Sequence, residues 1–181
     1  MITRYVISLM NYYLYKQRPM ITNLYLNYSN RPLTGIEIGT ASGINAKRIC
    51  EQLNMRTLYC IDPWDRYDGY KLMHKVPDLS VLEVEARKNL RGLPVKFIKQ
   101  KSEDALKYIP DYVDFVYIDG NHEYEYVKRD IELYKPRCHF IGGHDIDCRA
   151  GVKQAVEDTF NHYRKIKCDW WVRNQSCNRV R

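Results

Sequence analysis

Two stretches of the sequence bring together residue types that could do chemistry. "VDFVYIDGNHEYEYV", residues 113–127, begins as an apolar run and stops in Asp119, Gly120, Asn121 and His122, so one element ends in an acid, an amide and an imidazole. "IEIGTASG" is built alike, with Glu37 inside an apolar run and Gly39 and Gly43 following it. Glycine lets the backbone turn tightly and approach a ligand closely, and a helix that starts just beyond presents free N–H groups. Twenty-three positions past Gly39, Asp62 closes another apolar run, where an acid can accept hydrogen bonds from ribose hydroxyls. The G-x-x-x-G spacing is not the G-x-G-x-x-G of a pyrophosphate cradle, and Glu37 would repel a pyrophosphate. An acid there suits a ligand with a cationic amino-acid end; a tight turn without any ligand is the competing reading.

The elements that must position these residues alternate from residue 33 onward. Strands are expected at 33–39, 56–62, 95–99, 113–119 and 138–143, and helices at 43–53, 78–90, from 102, 123–134 and 150–163. Asp78 or Ser80 and Ser102 stand where they could cap helices. "KIKCDWWVR" adds one or two short closing strands. Such alternation predicts an α/β, Rossmann-like, doubly wound and mainly parallel sheet in a three-layer sandwich, with strand order 3-2-1-4-5 and a short C-terminal edge hairpin. Ligands gather outside the carboxyl ends of such strands, where all the acidic and glycine-rich tips fall. Residues 1–30 read as a Tyr-rich helical cover, with Tyr5, Leu9, Tyr12, Tyr13 and Lys16 on one helical face, and residues 31–181 as a single domain.

S-adenosylmethionine carries an ammonium, a sulfonium and a ribose, and so matches both Glu37 and Asp62. "GIEIGTASG", "LYCIDPWD", "DFVYIDGNHEYEYVKRDIELYKP", "GGHDID" and "GVKQAVEDTF" resemble, in order, the successive blocks of class I S-adenosylmethionine-dependent methyltransferases. Within that family the chain most resembles the small-molecule O-methyltransferases of the catechol and macrolide-sugar type, from about residue 34 to 173. The resemblance implies that Glu37, Gly39, Thr40 and Gly43 hold the methionine part, that Asp62 receives the ribose, and that Asp119 also borders the cofactor. Trp64, Ser102 and Glu103 would lie near the adenine, although Trp64 can equally pack under its loop. Lys101 stands where this group commonly has glycine, and Asn45 replaces a residue that is often Ser.

Strands four and five are neighbours in the doubly wound order, so the resemblance also brings Asp119 and Asp145 together. Two close carboxylates repel unless a cation or proton lies between them, and a divalent ion such as Mg²⁺ would satisfy both. His144 falls where a second acid is often found, and its imidazole favours Mn²⁺ over Mg²⁺; Asp147 could substitute for it. Metal-free catalysis is the alternative. His122 is either the base that deprotonates a hydroxyl acceptor or the first residue of a helix capped by Asn121. Tyr124 and Tyr126 are expected to pack or to line the mouth of the site.

Composition excludes several classes. Six scattered cysteines without a C-x-x-C pair argue against a zinc ribbon, and reduced thiols in a cytoplasmic protein are the expectation. Residues 1–10 lack the features of a signal peptide, and no run of about 18 apolar residues suggests a membrane span. The net charge of +7 leaves an RNA methyltransferase as an alternative to a small-molecule enzyme, but no basic block or strand-four Pro-Pro motif favours it. A non-catalytic S-adenosylmethionine-binding module is the other alternative.

Overall fold

The computed structural model describes residues 18–67 and 78–174. Its core follows from four runs that are apolar on both faces: β1 (Leu33–Ile38), β2 (Met55–Ile61), β4 (Val113–Ile118) and β5 (Cys138–Gly143). Strands with such runs are stable only when helices cover both sides of the sheet. With β3 (Val95–Ile98) and the closing hairpin of β6 (Arg164–Ile166) and β7 (Asp169–Arg173), they form one seven-stranded sheet of order β3-β2-β1-β4-β5-β7-β6. The first five in that order pair in parallel, and β7 runs antiparallel to both β5 and β6. The expected doubly wound order with an edge hairpin is the one observed.

Side-chain alternation divides the core into two layers. Ile36, Ile38, Ile61, Val116 and Ile118 face α5 (Tyr124–Tyr134) and α6 (Ala150–Glu157). Leu58, Cys60, Phe115 and Tyr117 face α1 (Pro19–Tyr28) and α2 (Ile44–Gln52). Two further helices, α3 (Ser80–Asn89) and the single turn α4 (Ser102–Ala105), complete the crossovers. Glu37 is the exception in this pattern. It pairs in register with Cys60 and Tyr117, on the face covered by α1 and α2, and it is fully buried.

The register decides which residues meet at the sheet's edge. Ile98, Ile61, Ile38, Ile118, Gly143 and Trp170 lie in one row across six strands. One position further along each chain toward that edge come Asp62, Gly39, Asp119, His144 and Asp169. At about 4.8 Å per strand these five tips span roughly 19 Å.

Several local expectations are corrected. The helix from Ala150 stops at Glu157 instead of reaching Tyr163, because Phe160 turns inward against Trp170, with ring centroids 5.9 Å apart. Neither Ser80 nor Ser102 caps a helix; Leu79 and Lys101 occupy those positions, and Asp78 accepts the Ser80 N–H at 2.9 Å. α5 begins at Tyr124 with Glu123 as N-cap, so His122 is not a helical residue; Asn121 Oδ1 accepts the Glu123 N–H at 3.0 Å in a turn that precedes the helix. The helical face proposed for Tyr5, Leu9, Tyr12, Tyr13 and Lys16 lies outside the described residues.

Candidate active site

The first loop is shaped by two glycines for different reasons. Gly39 has φ +87°, and a Cβ there would lie 2.3 Å from the Asp119 carbonyl oxygen, so glycine is what lets the β1 and β4 tips touch. Gly43, at φ +77°, is the left-handed N-cap of α2. Between them the Gly43 N–H bonds to the carbonyl of buried Thr40 at 2.8 Å. Asp62 ties this loop to its own: Oδ2 accepts the Ala41 N–H and Oδ1 accepts the Trp64 N–H, both at 2.8 Å. Burial raises the Asp62 pKa and these two bonds hold it down. Each oxygen retains a lone pair for a further donor.

A cleft opens beside Asp62, lined among others by Gly39, Tyr67, Ser102, Glu103, Asn121 and Asp130. Ser102 hydrogen-bonds the carboxyl of Asp130, a helix residue that burial pushes to a pKa of about 7. Glu103 reaches Arg129 at 3.0 Å. Tyr67 and Tyr126 form the mouth, with ring centroids 5.9 Å apart, whereas Tyr124 instead hydrogen-bonds Asp158 at 3.0 Å. Trp64 is not part of the cleft wall: it is buried, packs on Phe97, and donates Nε1–H to the Ala41 carbonyl at 2.8 Å. It therefore supports the loop from below.

The other end of the row is a cluster of charges. Asp119, His144 and Asp145 each offer a ligand atom, and those atoms lie within 4.8 Å of one another. The same groups already have partners. Arg18 Nη2 donates to Asp119 Oδ2 at 3.0 Å, and His144 Nδ1 lies 2.6 Å from Asp145 Oδ1. His122 Nε2 lies 2.9 Å from Asp145 Oδ2 and 3.7 Å from Asp119 Oδ1. These are charge-pairing distances; neither ring nitrogen has an aligned hydrogen bond among the described residues. Burial works against a charge on His122, yet the two carboxylates lift its pKa to about 9. The imidazoles of His122 and His144 hold Asp145 far below the usual carboxylate range despite partial burial. The two carboxylates thus favour the imidazolium form of His122 over the neutral ring that a base would need. Asp147 points away to Lys165.

Glu37 lies beneath this row. Asn45 Nδ2 donates to its Oε1 at 2.9 Å, while Oε2 has no partner among the described residues. Burial pushes its pKa from 4.5 to about 7, against the pull of the Asn45 bond.

Residues 36–146 match the model of a family described as a methyltransferase domain. The chain is 28% identical over 120 residues to "Uncharacterized protein R132" of Acanthamoeba polyphaga mimivirus, an alignment that covers 64% of this chain and 51% of that protein. It thus spans about half the length of the curated relative it matches. Among solved structures it is similar to the calicheamicin methyltransferase CalS11, with a TM-score of 0.59 and 13% identity over 85% of this chain and 77% of that one. A putative O-methyltransferase from Klebsiella pneumoniae gives a TM-score of 0.58 and 13% identity over 83% and 76%. A putative rRNA-methylase from Clostridium thermocellum gives 0.59 and 12% over 84% and 92%. At these identities the solved structures share the fold. No described helix is long and apolar enough to cross a membrane.

Proposed function

The chain belongs to the methyltransferase domain family, and from that membership we propose that it transfers the methyl group of S-adenosylmethionine to a hydroxyl of a small molecule. The observation that carries this reading is the level row of tips, with buried Glu37 and loop-tying Asp62 toward one end and Asp119, Asp145 and His122 toward the other. The nucleoside lies in the cleft: Asp62 receives the ribose hydroxyls, and Ser102 and Asp130 face the adenine. Glu37 receives the ammonium of the amino-acid end.

The cofactor supplies the electrophilic methyl group, so the protein's work is to align the acceptor oxygen and take up its proton. We assign the proton to Asp119, held by Arg18 on Oδ2 and facing His122 from Oδ1. His122 is the cation that keeps Asp119 and Asp145 in one place. The donor set of Asp119, Asp145 and His144 would also suit a divalent ion, because two carboxylate oxygens and an imidazole nitrogen come within 4.8 Å of one another. Its imidazole suits Mn²⁺ better than Mg²⁺. When bound, such an ion would polarise the acceptor hydroxyl.

The fold neighbours carry names of both small-molecule and rRNA enzymes, so the acceptor class rests on the acid cluster and on the absence of a Pro-Pro motif after Asp119. The test is calorimetry with S-adenosylhomocysteine, followed by mass spectrometry of catechol and sugar acceptors incubated with the cofactor, with Mn²⁺ or with a chelator. Binding and the addition of one methyl group support the proposal. Absence of nucleoside binding overturns it, and methylation of RNA alone replaces its acceptor.

A further inference from the structure

The polar chain that starts at Glu37 does not end at Asn45. Asn45 Oδ1 accepts a hydrogen bond from Arg18 Nε at 3.1 Å, while the Nδ2 of the same amide donates to Glu37 at 2.9 Å. One amide therefore separates a carboxylate from a guanidinium. Glu37 Oε2 is buried with no partner among the described residues, and Arg18 has donors to spare. Nε and Nη2 are used, and Nη1 lies 3.9 Å from Asp169 Oδ1, beyond hydrogen-bonding distance. A guanidinium has five N–H donors.

An anchoring role for Arg18 would explain the ion pair with Asp119 but is not needed. Helix α1 is already held by buried Met20, Ile21 and Leu24 and by the Met20 N–H on Asp169 Oδ2 at 3.1 Å. An unpaired acceptor and a donor-rich cation one amide apart are complementary to a group with ammonium and carboxylate on one carbon. Building on the function proposed above, we infer that Arg18 binds the carboxylate of the cofactor's amino-acid end while Glu37 binds its ammonium, with Asn45 holding the two in register. This gives Asn45 a task that Ser is too short to perform, since the amide accepts from one charge and donates to the other through two separate atoms at the end of a longer side chain.

The test is calorimetry on the full chain with three probes: S-adenosylhomocysteine, its decarboxylated analogue, and 5′-methylthioadenosine, which lacks both charged groups. The wild type should bind the first about tenfold to a hundredfold more tightly than the second, the range for hydrogen bonds to a charged group. Arg18→Gln should abolish that gap and leave affinity for the decarboxylated analogue unchanged, and Arg18→Lys should restore part of it. Glu37→Gln should instead remove the gap between the decarboxylated analogue and methylthioadenosine. Equal weakening of all probes by Arg18→Gln, or no carboxylate preference in the wild type, overturns the inference. Failure of the wild type to bind any probe strikes the function itself, a separate outcome.

Discussion

The two ends of the crevice are built by different means. At the β1–β3 end Asp62 is held by two backbone N–H groups, and each loop closes on itself or its neighbour. At the β4–β5 end Asp119 and Asp145 are held by side chains of Arg18, His122 and His144, and only beyond them, at β7, does a backbone N–H, that of Met20, join the Tyr117 hydroxyl on Asp169. Backbone bonds keep a loop in one shape whether or not a ligand is present. Ion pairs between side chains can exchange partners, which is what a site needs if it must accept a substrate, a proton or a metal ion. Under the proposed function, the first end holds the cofactor and the second does the chemistry.

The sharpest way to break this comparison is at Asp119. Asp119→Ala should lower turnover by at least about a hundredfold, the usual contribution of a positioned acid–base group, with S-adenosylhomocysteine affinity changed only a few-fold. Initial rates and calorimetry on one preparation check both halves. If turnover persisted, the chemical end would be elsewhere.

Asp62→Ala should act in the opposite sense, weakening S-adenosylhomocysteine by about tenfold or more. It also orphans the buried Trp64 N–H and the half-buried Ala41 N–H, the first at about 1–3 kcal/mol and the second at less, so the melting temperature should fall by about 5–10 °C. Asp145→Asn, which removes the charge at a half-buried site and still tolerates its φ of +65°, should lower it much less. Calorimetric melting of the two variants side by side would show whether the backbone-held end is the stiffer one.

A smaller effect follows from Glu37. Its folded pKa is raised, so the free protein holds an extra proton between about pH 4.5 and 7, and this residue's contribution to stability falls as pH rises through that window. A bound ammonium offsets the loss. Affinity for S-adenosylhomocysteine should accordingly rise about tenfold from pH 6 to pH 8, as the carboxylate forms. Glu37→Gln should flatten that dependence while leaving the part due to Asp130.

What could be seen in advance also divides along this line. The tips at Gly39, Asp62, Asp119 and Gly143 are written in runs of apolar residues that end in Asp or Gly, a signal carried within a few residues, whereas Asp169, which begins β7, carries no such mark. Asp130 went unmarked, although it falls in the helical stripe of Val127, Ile131 and Tyr134 that the structure buries. Capping was misjudged at Ser102, whose hydroxyl turns to Asp130 instead, since a competing partner in another helix is invisible locally. Cys148 and Cys168 show no motif, yet their Sγ atoms lie 3.3 Å apart across the loop after β5 and the β6–β7 turn.

Local alternation and strand ends thus determined where acids would gather. Which cations would neutralise them was decided only by the tertiary structure. Arg18 meets Asp119 across 101 positions of sequence, and His122 meets Asp145 from a different strand tip. The reason is physical: a strand end is a property of neighbouring residues, whereas Coulomb pairing depends on distance in space and leaves no period in the chain.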